Sequence, residues 1–126
     1  MASSVSRPVN LNLLKIRLPI AGVMSIMHRV SGFFLALITP FMLYLLDTAL
    51  FKENGFNQAT QMLHSFMGKA ALYLVLWAVM HHLFAGIRYL LLDIDIGIEK
   101  PLYRHTAWGV IIAAPVAALV LLGGLL

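Results

Sequence analysis

The residues best equipped for chemistry are His82, with His81 beside it, and the group Ser25, His28 and Arg29 in the stretch SIMHRVSG (residues 25–32). An imidazole can ligate a metal, carry a proton or bridge two helices by a hydrogen bond. A guanidinium keeps its charge at any working pH and can stabilise negative charge that develops on a bound oxygen. Ser25 and Arg29 are four residues apart, so on a helix they share one face, with His28 at its flank. The chain has no cysteine, which excludes disulfides, thiolate metal sites and any iron–sulfur cluster held by this chain. Electrons used here would have to arrive from elsewhere.

The elements that position these side chains are set by hydrophobicity. Of 126 residues, 61% are hydrophobic and only 11% charged, with a mean hydropathy of +0.90, against roughly 25% charged in soluble domains. A helix needs about 20 mostly apolar residues to cross a bilayer. Residues 30–46 are uncharged and stay apolar past Asp47 to Phe51, residues 70–92 carry one charge, Arg88, and residues 105–126 carry none. The expectation is an all-α integral membrane protein: three transmembrane helices at about 21–51, 65–93 and 104–126 within a single membrane-anchor domain spanning 1–126. Little chain remains for a soluble catalytic unit.

The formal net charge is +4, and its distribution favours a membrane over nucleic acid. Arg7, Lys15, Arg17 and Arg29 precede or open the first span, and Arg88, Lys100 and Arg104 surround the second connection; only Lys52 and Lys69 lie on the other side. This asymmetry puts the N-terminus in the cytoplasm and the C-terminus in the periplasm. RPVNLNLLKIRLP (residues 7–19) mixes apolar and basic residues up to Pro19 and reads as part of a cytoplasmic surface segment over residues 1–20. The spread of basic residues does not fit a cleavable signal peptide, so the N-terminus reads as mature. DTALFKENGFNQATQ (residues 47–61), with its Asn-Gly turn, reads as a short outer connection, and DIDIGIEKPLYRH (residues 93–105) as an inner one broken by Gly97 and Pro101. Pro40 and Pro115 fall inside spans, where neighbouring helices can satisfy the freed carbonyls.

His82 lies 13 residues past Lys69 and 11 before Asp93, so at ~1.5 Å per residue it is roughly 20 Å from one end of its helix and 16 Å from the other. An ionisable group at that depth normally faces a partner or a cavity. Both a helix-bridging hydrogen bond and a ligand role satisfy that requirement. Helical spacing gives the His82 face Ala71, Val75, Ala78, Ala85, Gly86 and Tyr89, and the His81 face Trp77, Phe84 and Arg88. Small residues leave room for a flat macrocycle, Gly86 above all, and they equally serve close helix packing. His81 is expected to be structural, facing another helix or chain, and His64 and His105 to be interfacial. For Arg29 and Ser25 the alternatives are a snorkelling cation beside a packing serine, or a site for a hydrophobic ligand with a polar head.

Three stretches in order, RPVNLNL (7–13), SIMHRVSG (25–32) and HLFAGIRYLLLD (82–93), resemble the cytochrome b subunit of succinate dehydrogenase, the large membrane anchor of succinate:quinone oxidoreductase. Chain length and helix spacing fit as well. The resemblance implies that Ser25 and Arg29 line the ubiquinone pocket. His28 and Arg29 would contact the cofactor, and His82 would be an axial ligand to the iron of haem b. It further implies that the haem is shared with a second small membrane-anchor subunit, which supplies the other ligand. A flavoprotein subunit and an iron–sulfur subunit would complete a heteromeric assembly in the lipid bilayer of a bacterial cytoplasmic (inner) membrane. This chain would then not oxidise succinate itself but pass electrons to quinone. Many members read GIRH where this chain has GIRY, so the role of that histidine does not carry onto Tyr89. The related fumarate reductase anchor and a non-redox helical scaffold are the alternative functions, the latter predicting no haem spectrum.

Overall fold

The computed structural model describes residues 16–126; the first fifteen positions of the expected surface segment, including RPVNLNL, lie outside the described residues. Four helices follow one another: α1 (Ile20–Phe51), α2 (Gly55–His64), α3 (Phe66–Asp93) and α4 (Leu102–Leu125). As expected, α1, α3 and α4 are long and apolar enough to cross a membrane. Pro19 precedes α1 in extended geometry, and its carbonyl accepts the amides of Gly22 and Val23 at 2.8 and 3.2 Å. Arg29 and Asp47, both on α1, are separated by about 27 Å of helix, close to the ~30 Å thickness of a hydrocarbon core.

The connection between α1 and α3 is more structured than its turn residues suggest, because it contains α2. Asn54 takes the left-handed conformation (φ 58°) that asparagine tolerates, turning the chain out of α1. Ser65 then ends α2 and caps α3: its hydroxyl donates to the Met62 carbonyl at 2.6 Å and accepts the Gly68 amide at 3.0 Å. The corner requires glycine at 68, since a Cβ there would collide with the Met62 carbonyl.

α3 packs against both α1 and α4. On α3 the buried residues are Gly68, Ala78, His81, Ala85 and Arg88, the last four forming a stripe at helical spacing. On α4 the matching stripe is Ala107, Val110, Ala114 and Ala118. Alanine on both sides lets the helices approach closely, the usual way that helices pack inside lipid. A cluster of Ala21 and Met24 from α1, Ala85 from α3, and Ala107 and Val110 from α4 joins the three long helices. Phe33, Leu37, Leu74, Leu90, Ile112 and Val120 all point outward, where a membrane or neighbouring subunits would cover them.

Candidate functional site: a histidine pair between the first and third helices

His28 and His82 meet where α1 crosses α3. Their rings stack with centroids 4.1 Å apart and planes within 14° of parallel. His82 Nδ1 is 3.1 Å from the His28 carbonyl oxygen and 3.3 Å from Ser31 Oγ, while the Ser31 hydroxyl donates to the same His28 carbonyl at 2.8 Å. Ser31 is fully buried. Gly32 makes this approach possible: a Cβ at that position would sit 2.8 Å from His82 Cε1 and 3.2 Å from Nδ1. Tyr89 also leans against the His28 ring, at 5.3 Å and 59°. A Cβ at Gly86 would meet only His28 Nε2, at 3.8 Å, so the room expected above Gly86 is bordered on one side by the His28 imidazole.

The neighbouring histidine behaves differently. His81 is fully buried inside the chain's own bundle and stacks on Trp77 at 5.6 Å, and neither of its ring nitrogens has a hydrogen-bond partner. Its face was expected to be the bulky one, yet Ala78 and Ala85 are buried alongside it. These alanines lie three or four residues from both histidines, so spacing alone assigns them to either face. Packing against α4 decides it for His81. Arg88, two turns further along that face, is 5% exposed. Its Nε donates to Thr106 Oγ1 and its Nη2 to the Tyr103 carbonyl, both at 2.9 Å, and its guanidinium lies 4.6 Å from the Tyr103 ring centre. Spacing placed this arginine on a helix face, and its partners on α4 are seen only in the structure.

Of the residues singled out for chemistry, the structure brings His28 and His82 together. Ser25 is half-buried one turn before Arg29, which is exposed on α1. Sequence reasoning assigned no role to Ser31 and Gly32. Both stand inside SIMHRVSG, but nothing short of the α1–α3 crossing shows that they face an imidazole 51 residues away from Ser31.

With this geometry in place, comparison with known proteins identifies the family. The profile of the succinate dehydrogenase/fumarate reductase transmembrane subunit family matches residues 3–122. The chain belongs to this family. Among curated relatives of this transmembrane subunit, the succinate dehydrogenase cytochrome b556 subunit of Coxiella burnetii is 40% identical over 115 residues, covering 90% of this chain and 92% of the relative. The cytochrome b556 subunit of Paracoccus denitrificans is 33% identical over 94 residues, covering 75% and 72%. The cytochrome b560 subunit of Reclinomonas americana is 30% identical over 101 residues, covering 76% and 70%. This member of the succinate dehydrogenase/fumarate reductase transmembrane family is thus a multi-pass membrane protein and a subunit of a larger complex.

Proposed function

We propose that the chain is the haem b-binding anchor subunit of a succinate dehydrogenase, that His82 is an axial ligand to the haem iron, and that ubiquinone binds beside Ser25 and Arg29. The observation that supports this reading is the half-buried imidazole about midway along α3, seated against α1 at Gly32, in a chain whose relatives are named cytochrome b subunits. The donor set fits a haem better than a bare ion. A structural metal ion asks the protein for about four ligands, and no group of three or more histidine, cysteine or carboxylate side chains is found among the described residues. A porphyrin brings its own four nitrogens and asks for one or two axial imidazoles. His82 would supply one and the second anchor subunit the other, with His28 and Arg29 lining the site.

When bound, the haem supplies a one-electron carrier within the membrane. The remaining work belongs to side chains of this chain. Electrons from a flavoprotein and an iron–sulfur subunit on the cytoplasmic side would reach a quinone at the start of the first span. Reduction takes two electrons and two protons, so the site must lie near the donor and within reach of water, and a site beside Arg29 on the cytoplasmic side would meet both demands. Its guanidinium would stabilise negative charge developing on the quinone oxygen while Ser25, one turn earlier, hydrogen-bonds the same atom. The chain would sit in the cytoplasmic membrane of a bacterium with its N-terminus inside. The test is a reduced-minus-oxidised spectrum of the complex purified through this chain, with co-purifying chains sized. A b-type signal accompanied by two large soluble subunits and one small membrane chain is expected. No haem and no partners would leave only a helical scaffold.

A further inference from the structure

We propose that Ser31 and the main-chain carbonyl of His28 are the positioning groups for His82, holding its proton on Nδ1 and leaving the Nε2 lone pair for the iron, and that Gly32 is the clearance that admits the ring. The inference rests on the haem reading above and adds residues to it. A carbonyl oxygen only accepts hydrogen bonds, so at 3.1 Å the His82 Nδ1 must be the donor to His28; a lone pair there would face another lone pair. The Ser31 hydroxyl spends its own proton on the His28 carbonyl at 2.8 Å, which leaves its oxygen as a second acceptor for Nδ1–H at 3.3 Å. A neutral imidazole with its proton on Nδ1 has an unprotonated Nε2. Of the three ring atoms nearest Gly32, this one is the farthest from the Cβ position, at 3.8 Å against 2.8 and 3.2 Å for Cε1 and Nδ1. A ligating histidine whose other nitrogen donates to a carbonyl is held in one tautomer and one orientation and becomes a more basic ligand.

Two physical consequences distinguish positioning from packing. A more basic imidazole stabilises the oxidised iron, so removing an acceptor of Nδ1–H raises the haem midpoint potential. Loss of an outer partner of this kind typically costs about 10–100-fold in affinity. In the purified four-subunit complex, Ser31→Ala should therefore release haem to a scavenging apoprotein about 10-fold faster, with a raised midpoint and an altered low-spin signal in electron paramagnetic resonance. Ser31→Thr, which keeps the hydroxyl, should restore all three. Ser31→Cys, near in shape and weak as an acceptor, should resemble Ser31→Ala, which separates hydrogen bonding from volume. Gly32→Ala should lose most of the haem while the subunits still co-purify. Gly109→Ala on α4, where a Cβ meets nothing within 4 Å, should not. Unchanged haem release, midpoint and resonance signal in Ser31→Ala would overturn the positioning role while leaving the haem reading intact. Absence of haem from the unmodified complex would instead remove that reading itself.

Discussion

His28 and His82 lie 54 residues apart and stack at 4.1 Å, and this pairing divides labour among the polar residues of the chain. One imidazole is held against α1, its neighbour His81 is locked into the core, and Arg29 stands exposed on α1. Losing one interaction with transition-state charge costs roughly 10²-fold in rate. Ser25→Ala and Arg29→Leu should each depress quinone reduction by that order, whereas succinate oxidation with a water-soluble dye survives in the assembled complex. A parallel fall of both activities would mean that these residues hold the assembly together. Arg88 is expected to act on stability: Arg88→Leu removes two charge-assisted hydrogen bonds to α4, worth about 1.5–3 kcal/mol each, and should lower the thermal unfolding midpoint in detergent. Arg88→Lys should recover only part of the loss, because an ammonium cannot reproduce the planar fork. That His82 would have partners was legible from its place midway along an apolar helix, since an ionisable group there requires one, and the structure gives it His28 and Ser31. Ser31 and Gly32 were not legible, because their meaning lies in a contact between helices, whereas spacing describes one helix at a time.

At the scale of elements, the three long helices were readable because crossing a bilayer demands length and apolarity, and no other helix among the described residues meets that demand. α2 escaped because ten residues rich in amide and small side chains carry no such constraint; the corner at Ser65 and Gly68 brings it into being. The division of α3 between its two histidines was ambiguous for a geometric reason, since Ala78 and Ala85 are neighbours of both on a 3.6-residue period. The orientation expected from the basic residues Arg29, Arg88, Lys100 and Arg104 puts their side of the membrane in the cytoplasm. A reporter inserted near Gly97 should behave as cytoplasmic and one fused after Leu126 as periplasmic. The reverse result would put Arg29 on the face opposite to the soluble subunits.

At the scale of the whole molecule, the chain exposes large apolar side chains on all three long helices while burying alanine, a histidine and an arginine. This is the surface of a subunit made to sit among lipids and other helices, in keeping with its membership of the succinate dehydrogenase/fumarate reductase transmembrane family. On the proposed reading, His82 would be half of a bis-histidine site, and cofactor binding and assembly with a second anchor chain would then be one event. The measurement that tests this most directly is the reduced-minus-oxidised spectrum of the purified complex carrying His82→Ala, set beside that of His81→Ala. The account predicts that His82→Ala removes or strongly weakens the b-type signal and that His81→Ala, whose ring is enclosed in the chain's own core against Trp77, largely keeps it. A full bis-imidazole spectrum in the His82→Ala complex would contradict it.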